Sequence, residues 1–437
     1  MKKYQEKSIG IFLIFMVESL FLHQNRCIMV IRDSYFNRIN DAFRYTPIVI
    51  LIGSRQVGKT TLMKTYPTAK FEATHFVNGQ DVDVANLFSK LNTIEDYLKV
   101  YLNPKLDGLL FIDEFQYIQG VSTILKLLTD KYTGLRIMCS GSSSLDILQK
   151  VEESLAGRVR IIEVLSLSFA EYLKFKDEKL YLLQQSVSAD TLPEMLIHYY
   201  NEYLVFGGFP RVALADNYND KAELLNDIYQ TYLMNDVRHY IANEHFVGFN
   251  RLLRLLAAQI GNLVNVNELC RESGLSYNVC EEYIALLQKM YIIKLVEPYF
   301  TNKRKIIGKM RKVYFCDLGL RNIIYNSFNE ITYRVDNGAL FENEVLLELW
   351  RNNRASDTIY FYRTHNGVEV DFIKDTPIEK IAIECKYKYL LKPISVTSLN
   401  NISMEEGISK RYIANINLST LYKDAALIPG IFADRIK

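Results

Sequence analysis

Residues 47–61 read PIVILIGSRQVGKTT, and their reading decides the fold. Pro47 to Ile52 is an unbroken apolar run with β-branched residues, the pattern of a strand buried on both faces. It runs straight into Gly53-Ser54-Arg55-Gln56-Val57-Gly58-Lys59-Thr60-Thr61, which satisfies GxxxxGK[ST], and a helix-forming stretch follows. Each part has a physical task. Glycines let the backbone curl so that successive N–H groups point at phosphates, and the helix start adds its positive end. Lys59 places a charge at the β- and γ-phosphates, and the Thr60 hydroxyl is suited to Mg²⁺. The loop thus predicts bound ATP with Mg²⁺, gripped by Gly53 through Thr61.

About fifty residues further on, Gly108-Leu109-Leu110-Phe111-Ile112-Asp113-Glu114 is an apolar strand ending in two acids. Asp113 is expected to hold Mg²⁺ and Glu114 to polarise the attacking water, because phosphoryl transfer depends on positioning and charge neutralisation. A third strand, Leu135 to Cys139, closes on Ser140-Gly141-Ser142-Ser143. Ser142 is either a sensor of the γ-phosphate or part of an ordinary Ser/Gly turn. Arg158, after Gly157, is either an arginine finger, in cis or from a neighbouring subunit, or a solvated surface residue.

At 437 residues the chain is too long for one ordinary core. Hydrophobic residues at 49% and charged residues at 23% fit a globular protein. A net charge of +2 gives no global attraction to nucleic acid, so such binding needs a local patch. The six cysteines form no CxxC pair, which argues against zinc and fits a reducing cytoplasm. Near the N-terminus, Ile9 to Leu22 is apolar but contains Glu18 and is too short to span a bilayer as a straight helix. Residues 1–28 are expected to be an extension, with Met29 opening the helix that leads to the first strand.

Together these segments resemble a prokaryotic family of AAA+-type ATPases that carry a C-terminal restriction-endonuclease-like domain of unknown role. The resemblance rests on GSRQVGKTTL (53–62), FIDEFQ (111–116), CSGSSS (139–144), SLAGRV (154–159), LSLSFAEYL (165–173) and YLVFGGFPRVAL (203–214). LFENEVLLEL (340–349), GVEVDFI (367–373) and IECKYK (383–388) extend it to the C-terminal part. It covers nearly everything after Met29 and implies an ATPase, while residues 1–28 depart from it. The Gly207–Arg211 turn resembles the family's lid signature; on its own it shows only a sharp turn.

Residues 267–296 read as helix, glycine turn, helix and strand, a winged-helix pattern. The stretch 302–312 that follows carries Lys303, Arg304, Lys305, Lys309, Arg311 and Lys312, a basic wing suited to DNA phosphates. Glu281 and Glu282 on the second helix weaken base reading there, which leaves a packing module as the alternative. In the C-terminal part a helix with Glu342 precedes three strands. Asp371 and Glu384-x-Lys386 reproduce a D…ExK arrangement, in which strand alternation puts Glu384 and Lys386 on one face. Converging carboxylates suit Mg²⁺, with Glu342 completing the cluster.

The expectation is therefore an α/β chain with a parallel-sheet, P-loop AAA+-like domain, a winged-helix module and a C-terminal PD-(D/E)xK endonuclease-like domain. Expected boundaries are extension 1–28, ATPase 29–175, helical lid 176–245, winged helix 246–330 and endonuclease-like 331–437. The expected activity is cytoplasmic ATP hydrolysis coupled to nucleic-acid binding, with self-association as an arginine finger in trans would require. The alternatives are an ATP-controlled DNA-binding switch with negligible hydrolysis, or a metal-dependent nuclease.

Overall fold

Strand β1, Ile48–Gly53, is buried along its whole length, and its residues alternate between two apolar clusters. Ile48, Ile50 and Ile52 face the cluster containing Leu98, Leu110 and Leu125. Val49 and Leu51 face the cluster containing Tyr35, Ile39 and Phe169. That period-two division is how a continuous apolar run becomes a central strand with helices on both sides. The computed structural model describes residues 31–142, 155–187, 192–300, 310–364, 367–402 and 407–436. The 1–28 extension lies outside them.

With β2 (Thr74–Asn78), β3 (Gly108–Asp113), β4 (Leu135–Ser142) and β5 (Val159–Glu163), β1 makes a sheet of order β2-β3-β4-β1-β5. Every pairing in it is parallel. The apolar signal identified β1, β3 and β4. It passed over β2 and β5, the two edge strands, which carry mixed polar and apolar residues.

The chain after residue 165 is largely helical. It includes Phe169–Lys176, opened by a capping box between Ser168 and Glu171, and Glu194–Phe206 and Pro210–Leu214 on either side of the Gly207 turn. Helices Phe246–Ala258, Val266–Ser273 and Tyr277–Lys289 follow. Asn265 caps the second, and Gly274 ends it at φ +78°. Next comes an antiparallel pair, β6 (Ile293–Pro298) and β7 (Lys312–Phe315).

The sheet begun by this pair continues past residue 330. β6 also pairs with β8 (Thr358–Arg363) through Glu297↔Tyr360 and Pro298↔Phe361. β9 (Glu369–Asp375), β10 (Lys380–Cys385), β11 (Lys410–Asn415), β12 (Thr420–Tyr422) and β13 (Ala425–Pro429) complete a sheet of order β12-β13-β11-β10-β9-β8-β6-β7. One apolar cluster takes in Tyr35, Val49, Leu204, Leu287, Phe341 and Phe432, so the successive parts of the chain share a core.

Candidate nucleotide site and a second acidic cluster

All-parallel pairing sends the carboxyl ends of β1, β3 and β4 to one edge. Gly53 stands level with Ser142, and the neighbouring strand β3 ends there at Asp113. The loop leaving β1 turns through Gln56 at φ 62° and Gly58 at φ 92°, then enters helix Lys59–Thr65. Gly53 is needed for a different reason. A Cβ there would lie 2.1 Å from the Val164 carbonyl oxygen, because the chain continuing from β5 is held close by the Val164 N–H bond to Ile52 O at 2.7 Å.

Lys59 is buried, and its ammonium donates to Gly53 O at 2.9 Å and Ser54 O at 2.8 Å. Loss of water lowers its pKa to about 8, against the opposing attraction of Glu114 and Asp113. The Ser140 hydroxyl donates to the Asp113 carboxylate and accepts from the Glu114 N–H at 3.4 Å. Glu114 is left-handed at φ 50°, and its carboxylate accepts from the Gln116 amide. Nothing in the sequence assigns a role to Gln116, or to Ser140, whose buried hydroxyl orients Asp113. Residues next to an acid-ended strand were the only available signal for either.

These groups suit ATP·Mg²⁺. Lys59 is a buried cation whose partners are two neutral carbonyls of a loop built to face anions. Thr60 and Asp113 supply hard oxygens at the same edge. Such an ion would neutralise developing phosphate charge, while Ser140 holds Asp113 and Gln116 holds Glu114. Over the loop lies the Gly207–Arg211 turn, with Pro210 Cγ at 3.8 Å from a Cβ built on Gly58. The turn is fixed by Asp317, which accepts from Gly208 N at 2.9 Å.

Two expectations change here. Arg158 sits at the opposite end of the sheet, its carbonyl accepting from Ile48 N at the start of β1. Its guanidinium pairs with Asp130 at 2.6 Å. A finger acting in cis is therefore excluded, since the length of β1 separates it from Lys59. Ser142 closes β4 beside Gly53, but its side chain lies outside the described residues.

The predicted C-terminal acids are brought near one another. Asp371 accepts from Cys385 N at 2.7 Å, and Lys386 donates to Glu384 at 2.6 Å. Burial, then the charge of Asp371, raises both Glu342 and Glu384 to about 7. Yet they do not converge as a three-ligand set. Among the described residues no three Asp, Glu, His or Cys side chains stand where they could share an ion. Lys312, predicted to grip DNA, instead pairs with Glu342 at 3.1 Å and Glu369 at 2.6 Å, and is 4% exposed. Arg311 lies 3.4 Å from Glu281. Local charge density suggested a solvated wing, but β7 carries its first residue inside. Lys303, Arg304, Lys305 and Lys309 lie outside the described residues.

A buried polar chain joins the two regions. Arg32 donates to Val57 O in the phosphate loop at 3.1 Å and to Glu171 at 2.8 Å, and it also reaches Leu165 O. Arg351 donates to the next carbonyl, Ser166 O, at 3.3 Å and pairs with Glu344 and Glu348. Both acids lie on helix Asn337–Arg351, which also bears Glu342.

The family models agree with the first half of this picture. One described as an AAA domain matches residues 45–173. Two described as domains of unknown function, DUF8612 and DUF4143, match 197–330 and 337–429. "Uncharacterized protein MJ1544" of Methanocaldococcus jannaschii is 30% identical over 333 residues, which is 75% of this chain and 71% of that protein. The chain belongs to the MJ1544 family. "Uncharacterized protein Rv2008c" of Mycobacterium tuberculosis is 25% identical over 348 residues, covering 79% of this chain and 71% of that one. Among solved structures, the Walker-type ATPase paby2304 of Pyrococcus abyssi aligns at 13% identity and TM-score 0.46, covering 68% of this chain and 95% of that one. By the family match at 45–173 and its parallel sheet, the first part of this MJ1544-family α/β chain is a P-loop, AAA-type ATPase domain. No helix among its described residues is long and apolar enough to cross a membrane.

Proposed function

We propose that the protein hydrolyses ATP with Mg²⁺ and couples turnover to nucleic-acid binding. The observation that supports this best is the assembly at one sheet edge of buried Lys59, Asp113 held by Ser140, and Glu114 held by Gln116. In this reading the loop backbone and Lys59 bind the β- and γ-phosphates. Thr60 and Asp113 hold the ion, Glu114 aligns water, and Ser142 contacts the γ-phosphate. Arg158 acts on a neighbouring subunit's nucleotide. Helices Val266–Ser273 and Tyr277–Lys289 with the β6–β7 pair are read as a winged helix, whose remaining bases, Lys303, Arg304, Lys305 and Lys309, contact phosphates. The C-terminal helix and strands are read as endonuclease-like in layout only.

The test is ATP turnover by wild type and Lys59→Ala, with and without duplex DNA, across a salt series. Loss of turnover in a folded variant is expected, as is stimulation by DNA that fades with salt. Unchanged turnover in Lys59→Ala would refute the site. The Gln116 bond to Glu114 favours a second reading, a nucleotide-controlled switch in which the glutamate is withheld from water. Gln116→Ala would then raise the turnover rate.

A further inference from the structure

β7 is the last strand of its sheet, yet its free edge is not open. Residues 261–264 pair with it, Gly261 N donating to Val313 O at 2.8 Å and Val264 N to Arg311 O at 2.7 Å, and Asn343, buried on helix Asn337–Arg351, takes over at Phe315. Its side chain donates to Phe315 O at 2.8 Å and accepts from Phe315 N at 2.7 Å. On the other edge, Lys312 is level with Val296 of β6. The strand is therefore held from both sides, and the register leaves no freedom over where Lys312 enters. Its ammonium meets Glu342 and Glu369, and it lies 5.6 Å from the centre of the Phe361 ring. Of the charges acting on Asp371, that of Lys312 does most to favour the ionised form.

We propose that the Lys312 ammonium is the resident cation of this acidic pocket, and that it excludes a divalent ion from Glu342, Asp371 and Glu384. A metal bridging Asp371 and Glu342 would sit beside an ammonium already hydrogen-bonded to Glu342, in surroundings where water screens little. The cation also comes from outside the helix-and-strand unit that supplies the acids. The β6–β7 pair thus plugs a pocket that the C-terminal unit would otherwise present with surplus negative charge. Lys386 pairs with Glu384 at the far side, so each flank of the cluster already holds a side-chain cation.

Mn²⁺ binding to the full chain, without nucleotide, followed by electron paramagnetic resonance, tests this. The proteins are wild type, Asp371→Asn, Lys312→Met and Lys312→Met/Glu369→Gln. The double variant removes one acid with the base and keeps the charge balance should the single variant fail to fold. Wild type is expected to show no Mn²⁺ that depends on Asp371. The Lys312 variants are expected to bind one equivalent at least tenfold more tightly than wild type, with the gain lost on adding Asp371→Asn. One Mn²⁺ on wild type that Asp371→Asn removes would overturn the proposal, as would a folded double variant with no gain. No arm uses ATP, so the outcome is independent of the ATPase reading.

Discussion

Replacing Arg351 by Met should destabilise the protein by an amount that depends on pH. The guanidinium lies 3.0 Å from Glu344 and 2.9 Å from Glu348, and all three side chains are at most 7% exposed. Burial already raises Glu344 well above the ordinary carboxyl range, while Arg351 opposes that rise. Methionine keeps the length of the stem but removes the charge, so the buried acids must take up a proton or remain uncompensated. Near pH 7.5, protonating a glutamate of ordinary pKa, about 4.3, costs about 4 kcal/mol; near pH 5.5 it costs about 1.5 kcal/mol. The sign follows from proton counting. Arg351 holds the Glu344 carboxyl lower than burial alone would, so the folded variant binds more protons than folded wild type, and its stability falls relative to wild type as pH rises.

Trp350, the single tryptophan in the sequence, is a local reporter. It adjoins Arg351, donates to Glu163 at 2.9 Å and lies under Lys294, 4.3 Å from the ring centre. Urea unfolding followed by its fluorescence at the two pH values measures the difference directly. A loss below about 1 kcal/mol that did not change with pH would refute the assignment of Arg351 as counter-ion to buried acids.

Two further outcomes follow from the phosphate loop. A Lys59 pKa of about 8 in the free protein should rise when phosphates replace the loop carbonyls, so binding takes up protons only at higher pH. Uptake of about 0.1 proton near pH 7 and about 0.8 near pH 8.5 is expected from calorimetry of Mg·ATP binding in buffers of different ionisation enthalpy, and equal values would contradict it. Gly53→Ala should abolish nucleotide binding or folding, since its Cβ would meet the Val164 oxygen at 2.1 Å. A stable variant with wild-type affinity for a fluorescent ATP analogue would show that β5 yields there.

The phosphate loop was legible because its information is local. A buried strand, a glycine turn and Lys-Thr at a helix start are contiguous, and backbone geometry alone sets their relation. The apolar runs of β3 and β4 were readable for the same reason, and a parallel sheet then places Asp113 beside the loop. What adjoins a given residue from distant sequence was not legible. Arg158 follows a glycine on a loop, as the arginine-finger reading requires, yet strand direction puts it at the far edge beside Asp130. Lys312 belongs to a basic run by composition and to an acidic pocket by register. The edge strands β2 and β5 carry no continuous apolar signal, because each is fully covered only by a partner chosen through the tertiary fold. Sequence by itself determined a nucleotide-binding edge on an α/β sheet. Only the tertiary structure decided which cation enters the second cluster, because strand register, and not residue type, selects the neighbour of a buried charge.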